Sequence, residues 1–173
     1  MSDKYFPQEY LLELYSSLNN LQVTIWLDGG WGVDALLGKE TRAHQDLDIV
    51  IQQIDLAVFC DLLKSRGYNE VNRDDTCAWN FVLGDNMGHE LDVHVINLDD
   101  DGNGIYGSVE RGIFFPAERL TGIGTINEIE LRCLTADYQV ESHTGYELKE
   151  KDFKDVHALC QKFNITLPKA YIA

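Results

Sequence analysis

Three aspartates and a glycine pair have residue types and spacing that could do chemistry. Asp46 and Asp48 stand one residue apart in Asp46-Leu47-Asp48-Ile49-Val50-Ile51, where the alternation is that of a strand with one apolar and one acidic face. On such a strand both carboxylates emerge on the same side, roughly 6.6 Å apart at the usual rise, and both can reach one ion. Leu91-Asp92-Val93-His94-Val95 repeats the pattern, placing Asp92 and His94 together on a polar face. If the two strands are neighbours, three carboxylates converge. Hard divalent ions such as Mg²⁺ take oxygen ligands of this kind, and two of them ~3.5 to 4 Å apart stabilise the attacking and leaving oxygens of a phosphoryl transfer. Upstream, Asp28-Gly29-Gly30 lies between a strand-like and a helix-like run. There glycine lets backbone amides approach a phosphate, and a helix N-terminus favours negative charge. Taken singly, Asp-x-Asp is also the pattern of a solvated strand face, and Gly-Gly that of a turn. The ordered set is far more specific than its parts.

Positioning these groups requires a regular succession of elements. Leu11, Leu12, Tyr15, Leu18 and Leu21 recur at helical spacing from Gln8 to Leu21, predicting an amphipathic first helix. Val23 to Leu27 reads as a buried strand, followed by a short helix that turns Val33, Leu36 and Leu37 inward and ends near Gly38. After the strand Asp46 to Ile51, Asp55 is placed to cap a helix with core face Leu56, Phe59, Leu62 and Leu63, stopped by Gly67. Ala78 to Leu83 and Glu90 to Ile96 flank a turn at 84–88 and predict a hairpin. Asn97 to Gly112, rich in glycine and aspartate, reads as an exposed loop. Ile123 to Leu134 suggests one or two short strands, Thr135 can cap a helix through His143, and Phe153, Val156, Leu159, Cys160 and Phe163 mark the inner face of a last helix. The order predicts an α+β or α/β domain, a mixed β-sheet with helices packed mainly on one side.

Composition narrows the partners. The chain has 173 residues, 45% of them hydrophobic, which suits one globular domain and excludes a disordered or low-complexity polymer. Fourteen Lys and Arg against 29 Asp and Glu give a formal net charge of −15. Nucleic acid and anionic membrane both reward a basic patch, so neither is expected as a partner, whereas a cationic small molecule would be attracted. Met1 to Gln8 has no apolar leader and no run is long enough to span a bilayer, so a cytoplasmic protein is expected. Cys60, Cys77, Cys133 and Cys160 form no Cys-x-x-Cys pair and read as reduced filler rather than a zinc cage or disulfide framework.

The stretches Leu27-Asp28-Gly29-Gly30-Trp31-Gly32-Val33-Asp34 and Arg42-Ala43-His44-Gln45-Asp46-Leu47-Asp48-Ile49 closely resemble the small antibiotic nucleotidyltransferases of the lincosamide and aminoglycoside type. The likeness continues through Leu91–Leu98 and His143-Thr144-Gly145-Tyr146-Glu147-Leu148, covering most of the chain from Val23 onward. It implies a polymerase-β-like core over a single domain, 1–173, with the helices from about 135 completing the acceptor side. The implied reaction moves a nucleoside monophosphate, usually AMP from ATP, onto a drug hydroxyl with Mg²⁺ as cofactor, two ions being the expected number. By resemblance Asp46 and Asp48 hold the metal, while Asp92 joins it or takes the proton of the attacking hydroxyl. Gly29 and Gly30 cradle the triphosphate. Arg42 and His44 add positive charge beside the phosphates; read as residues alone, Arg42 is equally a loop residue paired to a nearby acid, and His44 a brace bonding backbone. His143 and Tyr146 fall where the family has its acceptor pocket, and His94 joins them on the substrate side. Many members of the wider superfamily have Gly-Ser where this chain has Gly-Gly, which removes a serine hydroxyl from the phosphate contacts.

Other motifs carry less. Asn97 to Gly102 resembles the first half of an EF-hand loop, but Ser108 stands where the bidentate Glu is needed. His89-Glu90 lacks the second His of a zincin. Trp26, Trp31 and Trp79 read as core or pocket wall, and Asp34 as a family signature or an acid near a helix start. Within the antibiotic branch, His94 and the 97–102 loop look more like lincosamide members, since aminoglycoside members tend to carry an acid at the His94 position. Acceptors of both kinds are cationic, so charge does not separate them. The competing classes are an aminoglycoside enzyme, a nucleotidyltransferase acting on a protein hydroxyl, and an inactive binding module that kept the fold. An acceptor pocket in so short a chain suggests a homodimer.

Overall fold

The computed structural model describes residues 4–172. The chain runs α1 (Gln8–Asn20), β1 (Ile25–Asp28), α2 (Gly29–Leu37), β2 (Leu47–Gln52), α3 (Leu56–Ser65), β3 (Asn69–Val71), β4 (Asn80–Gly84), β5 (Glu90–Leu98), β6 (Gly104–Tyr106), β7 (Phe114–Phe115), β8 (Gly122–Ile126), β9 (Ile129–Cys133), α4 (Ala136–Ser142) and α5 (Glu150–Phe163). The strands form one sheet in the order β3-β4-β5-β2-β1-β9-β8, with β6 paired to β5 and β7 to β6. The sheet is mixed: β2 runs parallel to β5 and antiparallel to β1.

Side-chain alternation sorts its two faces. Ile25, Leu27, Ile49, Ile51, Leu91 and Val93 enter the main core together with Leu14 of α1, Val33 of α2, Phe59 of α3, Val140 of α4 and Leu159 of α5. All five helices therefore feed one face. Fully burying an aliphatic or aromatic side chain contributes about 1.5 to 3 kcal/mol, so this face carries most of the stability. The opposite face holds only a small cluster of Trp26, Val50, Ile96, Phe115 and Leu134. The acids of β1, β2 and β5 share that thinly covered face.

Several expectations are corrected. The segment 97–112 is not simply a loop: β5 continues to Leu98, and β6 pairs with it antiparallel, Ile96 opposite Tyr106. The glycines and aspartates there form the turn between the strands, in which Asp99 accepts from the backbone N–H groups of Asp101 and Asn103 at 3.0 and 2.8 Å. Asp46 precedes β2 rather than opening it. Asp55 makes no cap bond to α3; its Oδ2 accepts from Thr24 N at 3.2 Å, a tertiary tie that local spacing cannot reveal. Thr135 precedes α4 without a side-chain cap bond. Leu21 and Phe163, expected inside, are 47% and 41% exposed, and Leu14 takes the inward place on α1. All four cysteines are free thiols. Among the described residues no helix is long and apolar enough to cross a membrane; part of the Met1 to Gln8 reading, 1–3, lies outside them.

Candidate active site

Strand register builds the centre. Asp28 of β1 pairs with Asp48 of β2, and Asp48 pairs with Asp92 of β5. Neighbouring strands lie about 4.8 Å apart, so three carboxylates stand in a row across three strands. Exposed Asp46 precedes β2, and its charge opposes the ionisation of both Asp48 and Asp92. Asp48, Asp92 and His94 offer ligand atoms that all lie within 4.8 Å of one another. Burial, then the charges of Asp46, Asp28 and Asp92, hold the Asp48 carboxyl well above the ordinary 3.8. Burial also raises Asp92, with His94 opposing it. Crowded, partly buried carboxylates of this kind are unfavourable alone and favourable around a divalent cation. The donor set that converges, two carboxylates with one imidazole at its rim, suits a divalent cation at Asp48 and Asp92; Asp46, expected to join them, is not part of that group.

The glycine pair sits directly against this row because α2 follows β1 with no intervening residue. Asp28 Oδ1 accepts from Gly29 N at 2.8 Å, capping α2. Gly29 has φ +55°, and a Cβ there would overlap the Asp48 carboxylate; only glycine fits both demands. A Cβ at Gly30 would overlap His44 Nδ1 and crowd Arg42 Nη2. The departure from Gly-Ser thus has a steric reason: the space of a serine side chain is filled by His44 and Arg42.

His44 is 2% exposed. Its Nε2 lies 2.6 Å from Asp34 Oδ2, and its ring packs on Trp31 with centroids 4.5 Å apart. The imidazole braces a carboxylate rather than backbone, and the loop's backbone tie is separate, His44 O accepting from Phe6 N at 2.7 Å. Arg42 Nη2 meets Asp155 Oδ2 of α5 at 3.1 Å. The partnering acid is therefore remote in sequence, and it ties the loop to the last helix.

These groups line a cavity of about 660 Å³ whose wall includes Gly29, Gly30, Arg42, His44, Asp46 and Asp48 on one side and His143, Tyr146, Lys149 and Lys151 on the other. His143 Nδ1 lies 2.5 Å from Gln139 O at the end of α4. Tyr146 donates to Asp152 Oδ1 at 3.1 Å, while Asp152 Oδ2 accepts from Lys149 N at 2.8 Å at the start of α5. Sequence reasoning missed Lys149 and Lys151. Their signal is positional: lysines at a helix N-terminus oppose the helix dipole, which is unfavourable unless an anion or a cluster of acids lies nearby. Lys151 eases the ionisation of Asp48.

His94 stands elsewhere, on the Asp92 side and outside the lining of that cavity. Its Nδ1 lies 3.1 Å from the Tyr106 hydroxyl, and burial pushes that phenol up to about 12. Arg111 lies over Trp79 at 4.9 Å and over Tyr106 at 5.7 Å. Trp26 is core, its Nε1 donating to Leu120 O at 2.8 Å. The acid row is therefore flanked by a lysine-bearing cleft on one side and an aromatic, histidine-bearing wall on the other.

Known proteins share this arrangement of chain and fold. A family model described as aminoglycoside-2''-adenylyltransferase matches residues 10–159. The lincosamide resistance protein of Staphylococcus haemolyticus is 33% identical over 155 residues, spanning 87% of this chain and 90% of that protein. Among solved structures, the lincomycin-bound lincosamide antibiotic adenylyltransferase LnuA matches with a TM-score of 0.79 and 29% identity, over 94% of this chain and 99% of that one. ANT(2'')-Ia in complex with adenylyl-2''-tobramycin shares the fold at 16% identity, with a TM-score of 0.67 over 90% of this chain and 88% of that one. The mixed sheet with its helices is the polymerase-β-like α+β fold of nucleotidyltransferases. By its sequence over nearly the whole length and by its fold, the chain belongs to the antibiotic nucleotidyltransferase family of the aminoglycoside-2''-adenylyltransferases and the staphylococcal lincosamide resistance protein.

Proposed function

We propose that the chain transfers AMP from ATP to a hydroxyl of a lincosamide antibiotic. The observation that carries this reading is the row of Asp48 and Asp92 in cross-strand register beside a cavity walled by Lys149 and Lys151. Greater similarity to the lincosamide proteins than to ANT(2'')-Ia supports a lincosamide as the acceptor; the family model's own description favours an aminoglycoside as the second reading.

The acceptor hydroxyl oxygen attacks the α-phosphorus in line, the bond from that phosphorus to the bridging oxygen of pyrophosphate breaks, and Asp92 takes the hydroxyl proton. Two magnesium ions, when bound by Asp46, Asp48 and Asp92, supply the positive charge that offsets the polyphosphate and the leaving pyrophosphate. Gly29 and Gly30 let the backbone approach the phosphates, and Lys149, Lys151 and Arg42 neutralise them from across the cleft. Without such cations a chain of net charge −15 would repel ATP. His94, Tyr106, Trp79 and Arg111 form the wall that meets the drug. In this reading residues 4–172 are one domain, and its helices from 135 onward close the polyphosphate cleft. His143 and Tyr146 then serve the nucleotide rather than the drug. The protein acts in the cytoplasm, where ATP and magnesium are plentiful, and a second copy completes the acceptor wall beyond β7.

The test is incubation with Mg²⁺, each of the four nucleoside triphosphates, and panels of lincosamides and aminoglycosides, reading pyrophosphate and drug mass. Gain of one AMP by a lincosamide, dependent on Mg²⁺, is expected. Adenylylation of aminoglycosides alone would move the proposal to its second reading, pyrophosphate release with neither drug modified would point to a protein acceptor, and absence of nucleotide binding would sink it.

A further inference from the structure

Asp34 is a fully buried acid on α2, one turn beyond the glycine pair, and the reaction as described does not use it. Its carboxylate receives three contacts, all from one short strap. Oδ2 accepts from Thr41 N at 2.9 Å and lies 2.6 Å from His44 Nε2, while Oδ1 accepts from Thr41 Oγ1 at 2.5 Å. No Lys or Arg among the described residues lies within ion-pair distance of it; the basic side chain that meets it is His44. A buried carboxylate is costly unless its hydrogen bonds are complete, and here every one leads to the strap 41–44. The strap's middle residues, Arg42 and Ala43, and its end, His44, line the cleft. With Nε2 committed to Asp34, Nδ1 is the ring atom left to face what enters beside Gly30, where it fills the space a Cβ would take. Asparagine would keep an oxygen for Thr41 N and His44 Nε2 and a donor for the Thr41 hydroxyl, but would remove the negative charge that faces the imidazole.

We infer that Asp34 is a positioning residue for the polyphosphate of the nucleotide, acting through His44 and the strap it anchors. A carboxylate behind an imidazole fixes ring orientation and which nitrogen is presented. The inference rests on the nucleotidyltransferase reading of the cleft.

The experiment compares wild type, Asp34→Asn, His44→Gln and the double variant in the full chain. It reads the melting temperature, kcat, and KM for ATP and for the lincosamide. Asp34→Asn and His44→Gln are each expected to raise the ATP KM by about tenfold or more, as losing an orienting partner commonly does, with the lincosamide KM changed less than about twofold. The double variant should be no worse than the poorer single one, since groups that act through one another are not additive. A melting temperature that falls while the ATP KM stays put, or effects that simply add, would overturn the inference. Where Asp34→Asn does not fold, ¹⁵N resonances of the His44 ring in the wild type decide: ATP without acceptor should move Nδ1 and leave Nε2 in place, and an unmoved Nδ1 at saturating ATP overturns it. Failure of the underlying reading shows separately, as a wild-type chain that binds no ATP, and takes the inference with it.

Discussion

The flank of the aspartate row near Gly30 and the flank near His94 are built from different materials. On the first, Asp34 and His44 are 0% and 2% exposed, α2 begins directly on the last residue of β1, and Arg42 reaches Asp155 of the last helix. On the second, β6 and β7 are three and two residues long, and Val109 and Phe114 are 75% and 50% exposed. The first flank is tied by long-range polar bonds to the face that carries the main core; the second rests on the small cluster around Trp26 and Phe115. Common chemistry needs atoms held to fractions of an ångström, while a wall that chooses among drugs needs shape and adaptable apolar contact. Under the proposed function, the division of labour follows the division of stability.

Substitutions on the two flanks should therefore separate kinetically. The largest effect belongs between them: Asp92→Asn should lower kcat by about 10² to 10⁴, the usual worth of a general base, with nucleotide binding changed only a fewfold. Asp46→Asn should weaken both. Full turnover in either folded variant, read by pyrophosphate release, would break the assignment. Next, Lys149→Ala or Lys151→Ala should raise the ATP KM about tenfold, in line with one lost charge-assisted hydrogen bond. Tyr106→Phe or Arg111→Ala should instead raise the lincosamide KM. If both pairs shift the same constant, the two flanks are not distinct. Gly30→Ser should raise the ATP KM by severalfold, because the new side chain meets His44 and Arg42; unchanged or improved ATP use would show that the superfamily's serine fits here after all. The smallest effect is on stability. Asp48 is raised in the folded chain above the 3.8 of an ordinary carboxyl, so the unfolded chain releases this proton first and stability falls as pH rises from the unfolded value towards the folded one. Asp48→Asn should hence melt a few degrees higher than wild type in metal-free buffer at neutral pH, and divalent cation should narrow that gap by stabilising only the wild type. An equal or lower melting temperature in calorimetry would remove the electrostatic account.

The same contrast governs what could be read from the sequence. Asp48 and Asp92 were legible because strand alternation is local and parallel pairing of β2 with β5 puts them opposite each other. The glycine pair was legible because a turn between strand and helix is written in adjacent residues. Lys149 and Lys151 were not, since they reach the cleft only when α5 packs beside α2. The roles of Asp34 and Asp55 escaped for a related reason: their partners, Thr41 with His44 and Thr24, are selected by tertiary packing. Strands β6 and β7 hid behind a composition of glycine and aspartate, which propensity reads as loop, although β5 supplies the template that pairs β6.

The junction of β1 and α2 has a consequence for how such a protein can change. With no spare residue between Asp28 and Gly29, and with Gly29 pressed against Asp48, inserting or deleting a residue at that joint would carry Gly29 and the start of α2 off the aspartate row. The turns on either side of β6 have no such restraint, because they end in exposed positions that accept added length cheaply. Under the proposed function, a change of length in those turns would alter the wall that meets the drug and leave the joint that holds the reacting groups untouched.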